Sequence, residues 1–267
     1  MRFPPERLEL SLRSDTTTES SDRDLERAQL RAYAEDVRNS YTRELRRSQE
    51  LKDTYLATVK VLAAAVEAKD DCTGGHIQRV HALGMLLARA IVPEEADDAQ
   101  LACGFLLHDV GKLSVPDAVL NKPGPLDEDE WEVMRRHPEQ GAKILAAIPF
   151  LDRALDVVRH HHERWDGAGY PAGLRGEAIP LWARIFAVVD TVDAITSERP
   201  YRRASPLSVA MRELRVGSGV QFDPACVAAF EALDHEAVER LLQHRGEPGP
   251  ELDEIAMPEF SLKSHKG

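Results

Sequence analysis

Residues 101–112 read LACGFLLHDVGK, and this stretch decides how the rest of the sequence is interpreted. The segment from Ala99 to Asp109 is apolar on several sides, which is typical of a buried helix. Gly111 follows it, and glycine is common just beyond the end of a helix. The helix is therefore predicted to carry His108 and Asp109 at its end, inside the protein. Because burying an unpaired carboxylate costs several kcal/mol, Asp109 is expected to have a partner.

Buried polar residues of the same kind recur further along the chain. Asp190 lies inside RIFAVVDTVDAI, in a helix predicted to start at Pro180, and Asp193 falls on the same face three residues later. His161 and His162 stand together at the end of another apolar segment. Each histidine taken singly is more often a structural residue than a ligand. Their recurrence with buried carboxylates on several separate helices favours a shared cation, which would compensate all of them at once.

The composition indicates a helical protein with an ordinary core. The chain has 267 residues, 43% of them hydrophobic and 30% charged, and it is rich in Ala, Leu, Glu and Arg. The net charge of −12 argues against a dedicated nucleic-acid binder. An anionic substrate would therefore need local positive charge from Arg, Lys or bound metal.

Cysteines and hydropathy exclude two further classes of protein. Cys72, Cys103 and Cys226 are widely spaced without a CxxC motif, so neither a disulfide framework nor a zinc finger is indicated. No signal-peptide core is present at the N-terminus, and no stretch approaches the ~18 apolar residues of a membrane span. The chain is expected to be cytoplasmic, with no membrane partner.

Four segments are predicted along the chain. Residues 1–21 are polar and are interpreted as a disordered lead-in, and residues 248–267 as a loose tail. Residues 22–58 are predicted to form a long helix, and residues 59–247 the catalytic domain. No Gly or Pro occurs from Asp22 to Lys69.

The long helix carries an imperfect apolar stripe. The stripe runs at three- or four-residue steps through Val37, Tyr41, Leu45, Ser48, Tyr55, Val59 and Leu62, and Lys52 interrupts it. This stripe favours a parallel coiled-coil homodimer. The alternative is a solvated helix packed on its own domain.

Several ordered blocks closely resemble the HD-GYP family. These are TGGHIQRV from Thr73, HDVGK from His108, Asn121-Lys-Pro-Gly, His137-Pro, HHERWDGAGYPAGLRGEAIP from His161, and DTVDAITSERPY from Asp190. The resemblance covers about Val59 to Phe230. It implies an all-α helical bundle around a binuclear metal site, usually holding iron or manganese. It also implies hydrolysis of the cyclic dinucleotide c-di-GMP to pGpG, with a second step to GMP left open.

The resemblance assigns metal ligands residue by residue. His76, His108, Asp109 and Asp190 look like ligands of the first metal. His137, His161 and His162 look like ligands of the second, with Asp109 bridging both. This mixed nitrogen and oxygen set suits Fe or Mn. Two adjacent cations can hold a bridging hydroxide at neutral pH and stabilise the attacked phosphate, so water would be the nucleophile.

The resemblance also indicates substrate contacts. Lys112 lies one helical turn beyond His108, near enough to steady a phosphate oxygen. Arg199 and Arg202 resemble the family's phosphate-holding cations, although the second is more often Lys. Surface ion pairs are the alternative for these three residues.

The GYP element is Gly169-Tyr170-Pro171, in which Tyr170 offers a ring and a hydroxyl to guanine or its ribose. Without the resemblance it would be a plain Gly/Pro turn. In the family, this loop is also the proposed docking surface for diguanylate cyclase domains.

Two alternatives and one departure stay open. Cys72 stands where some relatives carry a Glu that serves a third metal, so a binuclear site is predicted here. The substrate could be another cyclic dinucleotide, such as cyclic GMP-AMP. The domain could also be a non-catalytic module that binds a nucleotide or docks a cyclase.

Overall fold

The computed structural model of the chain describes residues 13–69, 75–96, 98–198 and 203–243. Within these ranges the chain forms α-helices, short 3₁₀ turns and no β-strand, so the prediction of an all-α fold is confirmed. The α-helices are α1 (Arg13–Lys69), α2 (His76–Ile91), α3 (Ala99–Leu107), α4 (Asp117–Leu120), α5 (Glu128–Arg135), α6 (His137–Leu145), α7 (Ala154–His160), α8 (Leu181–Thr196), α9 (Leu207–Gly217), α10 (Pro224–Glu231) and α11 (His235–Leu242). None of the helices in these ranges is long and apolar enough to cross a membrane.

The chain divides into two compact units, Met1–Thr54 and Tyr55–Gly267. Helix α1 begins at Arg13, earlier than the predicted start at Asp22, because no Gly or Pro interrupts the intervening residues. The remaining lead-in, residues 1–12, and the predicted tail, residues 248–267, lie outside the described residues.

The first unit contains the exposed apolar stripe of α1. Large apolar side chains stay in solvent at Leu25, Leu30, Tyr33, Val37, Tyr41, Leu45 and Leu51. Tyr33, Val37, Tyr41 and Leu45 follow one another at four-residue steps, which places them on one side of the helix.

Two apolar clusters form the core of the second unit. One packs α2 on α8, with Val80, Leu83 and Leu87 of α2 fully buried. Their spacing of three and four residues is that of one helix face. The other cluster joins the end of α1 to α3 and α7, and α3 is buried on all sides. The apolar character of residues 99–107 thus reflects a central helix.

Side-chain caps set several helix starts. The carboxylate of Asp98 accepts the amide N–H of Gln100 at the start of α3. At the start of α5, Asp127 and Glu130 form a reciprocal capping box. Helix α5 ends at Arg135, and α6 starts at once with His137 and Pro138. The caps therefore fix where the chain turns towards the histidines.

A close backbone contact brings the end of α3 against α6. After His108 and Asp109 the chain enters a 3₁₀ turn, Val110–Ser114. A Cβ atom added to Gly111 in this turn would lie 1.8 Å from the carbonyl oxygen of His137. A Cβ atom on Gly141 of α6 would lie 3.0 Å from the amide nitrogen of Gly111. The two glycines are therefore required by close approach, and this approach places Asp109 beside His137.

We expect Gly111→Ala to lower the free energy of unfolding by about 2 kcal/mol or more, because the added methyl group must push the 3₁₀ turn away from α6. Urea denaturation followed by circular dichroism would measure this change. Lys143→Ala, at an exposed position of α6, is the control and should stay within about 0.5 kcal/mol of wild type. Equal stability of the Gly111→Ala and control variants would contradict the close contact.

Candidate metal centre

The carboxylate of Asp109 lies at the centre of a cluster of imidazoles. Its Oδ2 atom is 3.1 Å from Nε2 of His108 and 2.8 Å from Nζ of Lys112. Its Oδ1 atom is 3.2 Å from Nε2 of His137 and 3.7 Å from Nε2 of His161. Oδ1 is buried, yet it accepts no hydrogen bond of regular geometry from the described part of the chain. Such a buried oxygen requires another partner.

Four ligand atoms converge here. Asp109, His137, His161 and His162 each offer one atom, and these atoms all lie within 4.8 Å of one another. Nε2 of His137 is only 3.2 Å from Nε2 of His161. Two facing imidazole nitrogens repel each other unless a proton or a cation lies between them. The donor set therefore fits a divalent metal ion bound by nitrogen and oxygen.

Backbone hydrogen bonds fix the tautomer of three of these histidines. Nδ1 of His108 lies 2.8 Å from the carbonyl oxygen of Phe105, and Nδ1 of His137 lies 2.8 Å from that of Met134. Nδ1 of His161 lies 2.9 Å from the carbonyl oxygen of Val158. A carbonyl can only accept, so each Nδ1 carries the proton. Each Nε2 therefore presents a lone pair to the centre, as metal coordination requires.

Two carboxylates from one face of α8 meet His76. Nδ1 of His76 is 2.7 Å from Oδ2 of Asp193, and its Nε2 is 3.8 Å from Oδ1 of Asp190. The guanidinium of Arg79 donates to both oxygens of Asp193, at 2.5 and 3.3 Å. Asp193 therefore orients the ring of His76 and directs Nε2 towards Asp190. A carboxylate behind a ligating imidazole commonly raises its basicity.

The pKa shifts are consistent with this arrangement. Burial raises the pKa of Asp109, but the charge of Lys112 and the contacts with His108 and His137 outweigh burial and leave it well below its ordinary value. Burial lowers the pKa of His161 to about 4. Burial, with His161 and His137 nearby, holds the pKa of His162 well below its ordinary value. At neutral pH Asp109 is thus ionised and His161 and His162 are neutral, the protonation states in which these side chains bind metals.

The opposite shift at His76 comes from its carboxylates. Burial lowers the pKa of His76, but Asp193 and Asp190 outweigh burial and raise it above its ordinary value. Burial raises the pKa of Asp193, but the hydrogen bonds from His76 and Arg79 outweigh burial and leave it below its ordinary value. The side of the centre that holds Asp190 and Asp193 is therefore the more negative one, and it is suited to a second cation.

The predicted ligands are brought together to different degrees. The predicted ligands of the second metal, His137, His161 and His162, lie together with Asp109 in one group. The first set is connected in pairs: His76 with Asp190, and His108 with Asp109. The rings of His76 and His108 lie edge to face with centroids 5.6 Å apart, which joins the two pairs.

Comparison with known proteins places the chain in a family. A family model described as HD domain matches residues 60–226, more than half of the chain. The chain belongs to the HD domain family. His108 and Asp109, the residues in the middle of the centre, are the adjacent His-Asp pair of residues 101–112.

Curated relatives of this HD domain are phosphodiesterases for cyclic dinucleotides. The cyclic di-GMP phosphodiesterase response regulator RpfG of Xanthomonas campestris pv. campestris is 40% identical over 208 residues, covering 76% of this chain and 55% of the relative. The 3'3'-cGAMP-specific phosphodiesterase 3 of Vibrio cholerae is 38% identical over 182 residues, covering 68% of this chain and 40% of the relative. The resemblance to the HD-GYP family is confirmed. The chain spans about half the length of these relatives.

A solved structure shares the fold of this HD domain. The cyclic GMP-AMP specific phosphodiesterase V-cGAP3 of V. cholerae superposes with a TM-score of 0.53 at 20% identity. The match covers 74% of this chain and 54% of that chain. At this identity the likeness concerns the fold alone.

The predicted substrate residues of the HD domain divide into two groups. Lys112 and Tyr170 border the centre: Nζ of Lys112 contacts Asp109, and the ring of Tyr170 stacks on that of His162 with centroids 4.7 Å apart. Arg199, Arg202 and Cys72 lie outside the described residues, so their roles stay predictions.

The GYP loop is held against the centre from beneath. A Cβ atom on Gly169 would lie 2.4 Å from the amide nitrogen of Arg164 and 2.6 Å from the carbonyl oxygen of His162, so only glycine fits. The buried carboxylate of Glu163 accepts the N–H groups of Ala172 and Leu174. These contacts fix the loop directly after the two histidines and position Tyr170 over His162.

Three residues shape the centre although no role for them was predicted from the sequence. Asp193 was placed on the face of Asp190, but nothing in the sequence indicated His76 as its partner. Phe186 is buried beneath the centre, with its ring 4.5 Å from that of His108 and 5.6 Å from that of His161. Glu163 could have been identified from the sequence. It directly follows His161 and His162, and a carboxylate beside two histidines on an apolar face is expected to be hydrogen-bonded.

We expect Asp193→Asn to weaken Mn(II) binding about tenfold, because the neutral amide no longer raises the basicity of His76. Equilibrium dialysis against Mn(II) measures the affinity without reference to activity. Asp156→Asn makes the same charge change at an exposed position of α7 and should leave the affinity unchanged. An affinity of the Asp193 variant equal to that of the control, with both variants folded by circular dichroism, would show that Asp193 does not support the centre.

Proposed function

We propose that this HD domain is a phosphodiesterase that hydrolyses c-di-GMP to pGpG. One observation carries the proposal: an ionised, half-buried Asp109 carboxylate faces the lone pairs of His108, His137 and His161, beside the ammonium group of Lys112. This arrangement suits cation-assisted attack on a phosphodiester. The names of the curated relatives support the same chemistry.

We further propose that two divalent ions, iron or manganese, bind here. His76, His108, Asp109 and Asp190 would hold one ion. His137, His161 and His162 would hold the other, with Asp109 shared. When bound, such ions make a coordinated water acidic and neutralise charge on the attacked phosphate.

Side chains of this protein are proposed to bind the substrate and to assist the reaction. In the reaction a water oxygen bonds to phosphorus, the bond from phosphorus to the ribose 3′-oxygen breaks, and that oxygen gains a proton. Asp109 and Lys112 are the proposed catalytic residues, and Lys112 would hold a phosphate oxygen as well as Asp109. Tyr170 would contact the base or ribose. Arg199 and Arg202 are proposed to bind phosphate oxygens, in the bidentate manner open to guanidinium groups.

A second substrate has specific support. Among the curated relatives, three proteins of Vibrio cholerae are named 3'3'-cGAMP-specific phosphodiesterases, with identities of 36% to 38%. Cyclic GMP-AMP keeps both phosphodiesters and changes one base. The metal centre would therefore act on either substrate, and the base-binding surface would decide between them.

We expect Asp109→Ala to lose bound metal and to reduce c-di-GMP turnover at least about a hundredfold, since losing a ligand should cost more than the 10–100-fold typical of outer-sphere changes. Anaerobic purification with metal analysis, followed by a turnover assay with Fe(II) or Mn(II), tests both effects. Wild type should hold about two ions per chain and accumulate pGpG.

Asp156→Ala provides the control for that experiment, because Asp156 is exposed on α7. Full activity of Asp109→Ala would refute the catalytic assignment. Faster wild-type turnover of cyclic GMP-AMP than of c-di-GMP would transfer the proposal to the second substrate. Two bound ions without turnover of either would favour the non-catalytic module.

We also propose that the chain forms a parallel homodimer through residues 25–60. The exposed stripe of α1 supports this, because large apolar side chains on one side of a helix favour association. A diguanylate cyclase domain is a further proposed partner, docking on the GYP loop.

We expect the full chain to sediment as a dimer at micromolar concentration and Tyr41→Glu to shift it towards monomer, because the charge would be buried in the seam. Asn39→Glu adds the same charge on the other side of α1 and should leave the dimer intact. A monomeric wild type would exclude the dimer.

A further inference from the structure

Helix α5 presents an aromatic residue and a cation on one face beside the metal centre. Trp131 and Arg135 are four residues apart, so their side chains are neighbours on the helix. The guanidinium carbon of Arg135 lies 5.6 Å from the ring centroid of Trp131 and 5.9 Å from that of Tyr170. Arg135 thus bridges two aromatic rings, one on α5 and one on the GYP loop.

These groups continue a row that begins at the centre. The ring of His162 stacks on the ring of Tyr170 at an angle of 26°. Arg135 follows Tyr170, and Trp131 follows Arg135. The row therefore leads from the candidate metal ligands, over the GYP loop, to solvent.

The outer members of the row are exposed. Trp131 keeps 44% of its surface in solvent, and Arg135 is exposed beside it. Tryptophan is usually well buried, so a half-exposed ring next to a cation is a common feature of ligand-binding surfaces.

The neighbouring acids do not neutralise Arg135. Glu132 pairs with Arg136, and Glu130 pairs with Lys122. Among the described residues no carboxylate forms an ion pair with Arg135. On a chain with a net charge of −12, an unneutralised guanidinium stacked between aromatic rings is suited to a ligand with electron-rich acceptors.

We propose that Trp131 and Arg135, together with Tyr170, form a subsite for a guanine base of the substrate. The ring of Trp131 offers a stacking surface, since every base has a π-face that stacks on aromatic side chains. The guanidinium of Arg135 matches the O6 and N7 acceptors of guanine, which is the commonest bidentate contact of arginine with a base. This inference rests on the proposed function, because the phosphate must lie at the metal centre for a base to reach α5.

A purely structural role makes a different prediction. If Arg135 only braced the GYP loop against α5, its loss would disturb Tyr170 and His162, and the rate would fall for every phosphodiester. A base subsite affects only substrates that carry the base. Binding that is equal in the ground and transition states changes KM and leaves kcat unchanged.

The test compares variants of α5 in the metal-loaded full chain. We expect Trp131→Ala to raise KM for c-di-GMP about tenfold, as is usual on losing one stacked base, with kcat and metal content unchanged. Trp131→Phe keeps a ring and should restore most of the affinity. Asp129→Ala, an exposed change in the same helix, is the matched control and should behave as wild type.

The role of Arg135 is tested by comparing the turnover of a guanine substrate with that of an adenine substrate. We expect Arg135→Ala to lower kcat/KM for c-di-GMP about tenfold more than for c-di-AMP, because adenine lacks the O6 acceptor. Turnover of methyl p-nitrophenyl phosphate, which carries no nucleobase, should not change. An unchanged KM in Trp131→Ala, or an equal loss on the base-free ester, would overturn the subsite.

Failure of the subsite and failure of the proposed function give different results. Wild-type turnover of c-di-GMP with unaltered KM in both variants would refute the subsite and leave the function standing. Absence of wild-type turnover, with tighter binding of GMP to wild type than to Trp131→Ala, would refute the function and support the subsite. Equal binding of GMP by the two proteins in that case would refute both.

Discussion

The fold of the second unit is organised around the burial of one charge, that of the Asp109 carboxylate. Burying a carboxylate is costly unless charges and hydrogen-bond donors surround it. Lys112, from the turn after α3, supplies a charge to Asp109. His108 from the end of α3, His137 from α6 and His161 from the end of α7 turn Nε2 lone pairs towards the carboxylate, which a bound cation would compensate. The packing of these helices is therefore tied to the chemistry of the centre.

Backbone contacts give this charge its precise surroundings. The close approach of Gly111 to His137 and Gly141 sets the separation of the α3 end from α6. The backbone carbonyls that accept from Nδ1 of His108, His137 and His161 then fix which nitrogen faces Asp109. Ligand direction is thus decided by main-chain geometry, which side-chain motion cannot easily disturb. Preorganisation of this kind suits a site that must hold cations in a fixed arrangement.

The centre has an inner and an outer part with different physical demands. The inner part is buried or half-buried and made of imidazoles and carboxylates, which bind cations. The outer part consists of Tyr170, Arg135 and Trp131, which are partly exposed and suited to a flat, electron-rich base. His162 belongs to both, since its ring faces the ligand group on one side and Tyr170 on the other. A substrate with phosphates and bases requires both parts, and the proposals for metal, phosphate and base follow that division.

The sequence by itself determined what depends on near neighbours along the chain. The capping box of Asp127 and Glu130, the unbroken helix up to Lys69 and the shared face of Asp190 and Asp193 all rest on spacings of a few residues. The apolar segment that ends in His108 and Asp109 also implied that the carboxylate had a partner, and the family motifs named the candidate ligands. Only the tertiary structure decided which helices meet. It paired Asp193 with His76, placed Phe186 beneath the histidines and brought Arg135 to Tyr170. The reason is physical: helix periodicity fixes contacts three or four residues apart, whereas contacts between helices depend on how whole faces pack, which no short stretch of sequence encodes.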